Sequence, residues 1–219
     1  MARRALVLLS GGLDSATATA IAHSEGYLLH ALTFRCGRRE EAKLAAARQL
    51  AAHFGVSDHI EVDIDERALP KPGGGAVRQL GDASALGHNT IFLSFAVAWA
   101  EALEVDDLFL GLTAADRRDR PDARLGWVEA FRRTGNLASH RRLGGHHLQI
   151  HTPLAFLSGA QIVRRGRQLG VDYSQTRNCY RLSPAGEACA ECEACLARHE
   201  AFSGAGLEDP VPYCVSDAA

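Results

Sequence analysis

Lysine is almost missing from this chain of 219 residues: Lys43 and Lys71 stand alone beside 22 arginines. Neither lies in G-x-x-x-x-G-K-[ST], which excludes a Walker-type phosphate binder. No run of about 18 apolar residues is present, so no transmembrane helix is available and no membrane partner is expected. The apolar stretch behind Met1-Ala2-Arg3-Arg4 breaks at Ser10-Gly11-Gly12, too early for a secretory signal, and a cytoplasmic location is expected. Charge of one sign is also lacking: the net charge is −2, which gives no field toward nucleic acid or an anionic surface. There is no internal repeat, no coiled-coil heptad and no obvious catalytic dyad. What remains, 47% hydrophobic and 23% charged residues, describes an ordinary globular chain of one domain with a small appendage.

Apolar runs alternate with helical stretches. Residues 5–9 are wholly apolar, as in a strand buried on both faces of a parallel sheet. Residues 16–25 read as a helix ended by Gly26, 28–34 as a second strand, and 40–54 as a helix closed by Gly55. A third strand is expected over 59–64. Residues 69–87, with Pro70, Pro72 and three consecutive glycines, predict a mobile loop. A helix over 89–103 and a strand over 108–112 follow. The Arg- and Gly-rich stretch 113–147 shows helical character only at 127–133. A short strand over 148–150 and a helix over 158–169, capped by Gly170, complete the pattern. Beyond Val171 periodicity is lost. The expectation is an α/β fold with a parallel sheet over residues 1–170 and a cysteine-bearing region over 171–219.

Ser10-Gly11-Gly12-Leu13-Asp14-Ser15 follows the first strand and opens the first helix. A helix N-terminus offers unpaired N–H groups and the positive end of its dipole, so this position suits an anion. The same residues also suit a tight turn in which Ser10 or Asp14 caps the helix.

Cysteine is unevenly spread. Cys36 stands alone, whereas Cys179, Cys189, Cys192, Cys195 and Cys214 occupy the last fifth. An extracellular disulfide framework spreads its cysteines; clustered C-x-x-C-x-x-C reads as a metal site. Cys179, Cys189, Cys192 and Cys195 supply four thiolates for a closed tetrahedral zinc, with an iron–sulfur cluster and reduced structural cysteines as alternatives. Cys214 is a poor fifth ligand, and Cys36 is read as a small packing residue. His146, His147 and His151 are assigned to surface or core.

The Ser-Gly-Gly-x-Asp-Ser run in its strand–turn–helix setting resembles the pyrophosphate (PP) loop of ATP pyrophosphatases. Across nearly the whole chain, in order, the sequence resembles the 7-cyano-7-deazaguanine synthase (QueC) family within that superfamily. The matching residues include Ala31-Leu32-Thr33-Phe34, Gly37, Arg39 and Gly87. They continue with Asn89-Thr90-Ile91-Phe92-Leu93-Ser94, Thr152-Pro153-Leu154 and Ile162-Val163-Arg164. Leu169-Gly170-Val171, Cys179-Tyr180, the cysteine trio, Arg198 and Ala201-Phe202 complete the match.

The resemblance implies a Rossmann-like, adenine nucleotide alpha hydrolase-like PP-loop domain over 1–170 and a zinc-binding region over 171–219. It implies an ATP-binding set of Leu9, Ser10, Gly11, Gly12, Leu13, Asp14, Ser15, Ala16, Thr17, Ala18, Thr19, Thr33 and Phe34. Ser10, Asp14 and Ser15 are its catalytic members, and Asp14 helps place Mg²⁺. Arg39, Asn89, Asp116, Asp122 and Arg124 are the substrate residues it implies. The implied reaction is ATP-dependent C–N ligation: 7-carboxy-7-deazaguanine is adenylated, ammonia displaces AMP, and a second ATP activates the amide for elimination to the nitrile. A homodimer is implied as well.

The chain departs from the family pattern at three places. Arg35-Cys36-Gly37-Arg38-Arg39-Glu40 stands for Asp-Tyr-Gly-Gln-Arg-His, and His88 interrupts Gly-Arg-Asn. Arg117-Arg118-Asp119-Arg120 replaces an aromatic Ser-Gly-aromatic run. The arginines between 117 and 142 are read as a solvated face, with an altered acid pocket or a docking patch as alternatives. A paralogue that adenylates the deazaguanine acid or another planar acid and stops at the amide, or joins the acid to another amine, is therefore the second reading. A zinc-bearing nucleic-acid module and a tRNA-modifying relative are disfavoured by charge and length.

Overall fold

A computed structural model describes residues 3–36, 41–65, 88–183 and 185–214. The loop expected over 69–87, and with it Gly37, Arg39 and Gly87, lies outside the described residues.

Five strands form one parallel sheet in the order β3-β2-β1-β4-β5: β1 (Arg4–Leu8), β2 (Leu28–Cys36), β3 (Asp58–Ile64), β4 (Asp107–Phe109) and β5 (Gln149–His151). Central β1 explains its own unbroken apolar sequence, because Ala5, Leu6 and Val7 are covered on both faces. On one face lie α1 (Leu13–Ser24), α2 (Glu41–His53), α6 (Gly159–Gln168) and α7 (Glu193–Ala205), whose Ala16, Leu50, Ile162 and Phe202 share one core cluster. On the other, α3 (His88–Ala102) and α5 (Leu125–Ala138) bring Leu93, Ala96, Trp127 and Phe131 against Leu6, Leu32 and Leu108. Short α4 (Ala114–Asp119) follows β4.

Helix α1 is built from alanine and threonine because it is enclosed on all sides. Ala16, Ala18, Ala20 and Ala22 keep it slim. The buried hydroxyls of Thr17 and Thr19 return to the carbonyls of Leu13 (2.9 Å) and Ser15 (2.8 Å), which removes the penalty of unpaired polar groups. Thr17 also bonds Tyr173 Oη at 2.8 Å, and Gly166 of α6 leaves the room that this ring requires. The start of α6 is a capping box: Ser158 Oγ accepts from Gln161 N while Gln161 Oε1 accepts from Ser158 N.

Two expectations are corrected. The stretch past Val171 does contain regular structure, the 13-residue α7, whose packing on α6 brings Ala201 and Phe202 into the main core. The region 113–147 is more helical than its sequence suggests, since α5 runs from 125 to 138 and α4 precedes it.

Candidate active site and four-cysteine centre

Strand order reverses between β1 and β4, and in open parallel sheets ligands bind where the strands end at such a switch point. A cavity of about 410 Å³ opens there. Its floor comes from Leu9 and Ser10 after β1 and from Leu110, Gly111 and Leu112 after β4. Gly111 is required by this approach: a Cβ on it would stand 3.0 Å from the Asp14 carbonyl carbon and the Ser15 nitrogen. Gly11 is required by conformation as well as space, since its φ is +79° and a side chain would strike the Lys43 carbonyl.

The loop is internally bonded. Ser15 Oγ accepts from Ser10 N (3.2 Å) and Ser10 Oγ (3.0 Å), and donates to Gly12 O (3.0 Å). Gly12 caps α1 without a side-chain bond, so the N–H groups of the first turn depend on partners outside the helix. Asp14 lines the floor. Burial there, reinforced by the nearby Asp116 carboxylate and opposed by Arg198, raises its pKa to about 7. Asp116 closes a capping box with Thr113, accepting from Thr113 N at 2.9 Å and Thr113 Oγ1 at 2.7 Å.

An aromatic and apolar side faces this polar floor. Phe34 stacks on Phe92 (centroids 4.5 Å apart, planes 18° apart), and Trp127 borders the same space. Buried Thr33 donates to the Leu9 carbonyl at 2.5 Å and meets His59 Nε2 at 2.7 Å. Asn89 lines the cavity and is fixed by Asp122, donating from its backbone N–H to Asp122 Oδ2 (3.2 Å) and from Nδ2 to Asp122 O (2.9 Å).

Ser10, Gly12, Asp14, Ser15, Leu9, Thr33, Phe34, Asn89 and Asp116 therefore meet at one cavity. Ala16, Thr17, Ala18 and Thr19 are buried in α1 behind it. Asp122 supports Asn89 from behind, while Arg124 is exposed away from it. Of the three arginines that replace the aromatic run, Arg120 alone borders the cavity, with Nε 3.5 Å from Asp122 Oδ1. Arg117 lies over Phe156 and donates to Ala155 O at 2.5 Å; Arg118 is exposed on Asp119. Cys36, read from the sequence as a small packing residue, also lines the cavity. Sequence reasoning missed Lys43, Trp127, Arg177, Asn178, Tyr180 and Ala194, which also line the cavity. The scarcity of lysine is a usable signal for Lys43 and the matched Cys179-Tyr180 pair one for Tyr180; nothing local marks the others.

The sulfurs of Cys179, Cys189, Cys192 and Cys195 lie within 4.8 Å of one another. Cys192 and Cys195 are 3.5 Å apart and Cys189 and Cys195 3.9 Å. A zinc at about 2.3 Å from four sulfurs sets tetrahedron edges of about 3.8 Å, so the quartet fits a single ion. Backbone N–H groups reach the sulfurs: Arg181 N and Cys189 N donate to Cys179 Sγ (3.2 and 3.3 Å), and Cys192 N to Cys189 Sγ (3.4 Å), while burial pushes the Cys179 and Cys195 thiols up. Burial opposes ionisation at Cys189, yet the N–H groups of Glu191 and Cys192 and the neighbouring thiols bring its pKa down to about 6. The cluster could hold a metal, and Cys214 stands outside it near Glu187. His146 and His151 are engaged by Asp106 and Asp107 instead.

A parallel sheet with a Ser-Gly-Gly-Leu-Asp-Ser loop at its switch point defines an enzyme with the PP-loop, adenine nucleotide alpha hydrolase-like fold. The same fold is seen in NMN synthetase from Francisella tularensis, with a TM-score of 0.56 at 18% identity over 94% of this chain and 79% of that one. The model of the family "Queuosine biosynthesis protein QueC" matches residues 4–77 and 78–206. The chain is 45% identical to the 7-cyano-7-deazaguanine synthase of Paramagnetospirillum magneticum, over 95% of this chain and 98% of that protein. It is 44% identical to that of Thiobacillus denitrificans, over 95% and 97%. The chain belongs to the QueC family. Among the described residues, no helix is long and apolar enough to cross a membrane.

Proposed function

We propose that this enzyme converts 7-carboxy-7-deazaguanine and ammonia to 7-cyano-7-deazaguanine, using two ATP molecules. The observation that carries the reading is the juxtaposition of the Ser10–Ser15 loop with an aromatic-walled cavity of about 410 Å³, in a chain that matches such synthases over nearly its whole length. ATP lies with its phosphates on the loop and the N-terminus of α1, and with its base toward Thr33 and Phe34. The acid occupies the side bounded by Asn89, Trp127 and Arg120. Its carboxylate oxygen attacks the α-phosphorus and pyrophosphate leaves. Ammonia attacks the acyl carbon and AMP leaves, giving the amide. The amide oxygen then attacks the α-phosphorus of a second ATP and pyrophosphate leaves; loss of AMP and of both protons from the amide nitrogen yields the nitrile.

No side-chain nucleophile is needed for these steps; positioning and charge neutralisation carry them. Ser10 and Ser15 exchange their mutual bond for phosphate oxygens. Lys43 and Arg177 add positive charge to the same cavity. Asp14 and Asp116 line the same cavity and fit a divalent cation, because burial and the neighbouring Asp116 carboxylate make Asp14 costly to ionise until a cation joins them. Mg²⁺ held there supplies charge neutralisation for the departing pyrophosphate. Ser10, Asp14 and Ser15 are the catalytic group in this reading.

Residues 1–170 form the PP-loop domain and residues 171–219 the metal-binding region, which also lends Arg177, Asn178, Tyr180 and Ala194 to the cavity. Zinc is the assigned ion, because sulfur separations near 3.5–3.9 Å match one tetrahedral ion, whereas a cubane bonds each thiolate to a different iron and spreads them. Four reduced thiolates accord with a cytoplasmic location. A homodimer belongs to the same proposal. The second reading, a paralogue that stops at the amide, draws on Arg120 in the place of an aromatic ring; Trp127, Phe34 and Phe92 supply a stacking wall from elsewhere and favour the nitrile. Incubating the purified protein with Mg·ATP, ammonium and the acid, with products read by mass spectrometry, separates the two: the nitrile is expected, and accumulation of the amide alone supports the paralogue.

A further inference from the structure

The backbone that enters the four-cysteine centre first runs along the phosphate loop. Arg177 N donates to Gly11 O at 2.8 Å, and Asn178 Oδ1 accepts from Leu13 N at 3.1 Å. Leu13 N is the first N–H of α1, a group that Gly12 cannot cap because it has no side chain. Asn178 does so across 165 positions of sequence. The same Oδ1 accepts from Arg198 Nη1 at 3.0 Å. Two donors on one atom settle which end of the amide is oxygen, and therefore where Nδ2 points. Among the described residues no protein oxygen accepts from Nδ2. It lies beside the loop, 3.8 Å from where a Cβ on Gly12 would be, and Asn178 lines the cavity.

Arg198 is itself buried and bonded on several sides. It sits one turn beyond Cys195 on α7 and bonds Asp209, Thr176 Oγ1 (2.6 Å) and the Tyr173 carbonyl (3.0 Å). Metal ligand, buried arginine and amide thus form one connected unit that ends on the loop.

We propose that Asn178 completes the phosphate site: Oδ1 caps the first N–H of α1, Nδ2 donates to an oxygen of the β- or γ-phosphate of the nucleotide, and Arg198 holds the amide in that orientation. The donor half rests on the reading that the loop binds ATP; the cap half does not. A hydrogen bond to a charged acceptor changes affinity about tenfold or more, whereas one among neutral groups does less.

The full-length, metal-loaded protein and its Asn178→Ala and Asn178→Asp variants test this. Three readings are taken: calorimetric binding of an ATP analogue with a methylene bridge between the α- and β-phosphorus and of AMP, amide exchange at Leu13, and metal content. In Asn178→Ala the analogue should bind about tenfold more weakly, AMP should bind as in the parent, and Leu13 should exchange about tenfold faster, with metal content unchanged. Asn178→Asp retains an oxygen for Leu13, so its exchange should stay slow, while the carboxylate weakens analogue binding at least as much. Parent-like analogue binding in both variants overturns the donor role. Unchanged Leu13 exchange in Asn178→Ala overturns the cap. Equal losses for AMP and the analogue, or loss of metal, overturn the proposal in favour of general support. Failure of the parent itself to bind the analogue sinks the ATP reading and the donor role together, with Leu13 exchange still deciding the cap.

Discussion

The Arg198 guanidinium and the Asp209 carboxylate form an ion pair with side chains 3% and 5% exposed, Nε standing 2.8 Å from Oδ2. Asp209 also accepts from Tyr213 Oη at 2.6 Å and Val211 N at 3.2 Å, so the residues after α7 close over the arginine. Deleting one partner leaves the other charge buried and unpaired. Asp209→Ala should therefore cost about 3–5 kcal/mol in chemical denaturation, far more than deleting an exposed carboxylate such as Asp119. A cost below about 1 kcal/mol means that the pair is open to water in solution.

The metal should be structural. Cys192→Ser is expected to lose bound zinc and soluble protein together, because the binding energy of such a site is folding energy. Metal analysis of the soluble fraction reads this directly, and a folded variant with undiminished zinc speaks against the assignment.

Asp14 should make stability and function pull in opposite directions. Its pKa is raised to about 7 from an ordinary 3.8, so the folded state holds its proton longer than the unfolded chain does. The sign follows: stability present below pH 4 is lost as pH rises toward 7. Asp14→Asn does not lose it. Without added magnesium, the variant should gain about 1–2 kcal/mol over the parent between pH 5 and 8, a figure discounted because the carboxylate faces an open cavity. Thermal melts across that range check it; parallel curves contradict the raised pKa.

Substrate discrimination should reside in Trp127 and Arg120 rather than in the neighbouring arginines. Trp127→Ala should raise KM for the acid about tenfold through lost stacking and apolar contact. Arg118→Ala, on an exposed side chain, should leave turnover unaltered. The opposite pattern moves the acid-binding side away from α5.

Much of this site could be read from the sequence because its parts are local. The loop follows an apolar strand and opens a helix within six residues, and the x₂ spacings of the cysteines are themselves the geometry of one ion. Gly55 and Gly170 ended their helices where expected, each with positive φ. Helix α7 escaped notice because its buried face carries Cys195 and Arg198 beside Ala201 and Phe202. A paired, buried arginine interrupts the apolar period by which helices are recognised. The three arginines at 117, 118 and 120 could not be told apart in advance. Helix α4 is six residues long, and which of them turns inward depends on Phe156 and Asp122, partners remote from one another in sequence. Asn178 was hidden for the same reason, its partner being Leu13.

Product analysis of the nucleotide is the most direct test of the central claim, that the Ser10–Ser15 loop cleaves ATP between its α- and β-phosphates to activate a carboxylate. Incubated with 7-carboxy-7-deazaguanine, ammonium and Mg·ATP, the protein should release AMP and pyrophosphate only when the acid is present, in a ratio of about two AMP per nitrile. Ser15→Ala and Asp14→Asn should abolish the release while remaining folded. Release of ADP and phosphate, or AMP formation that is indifferent to the acid or undiminished in both variants, would contradict it.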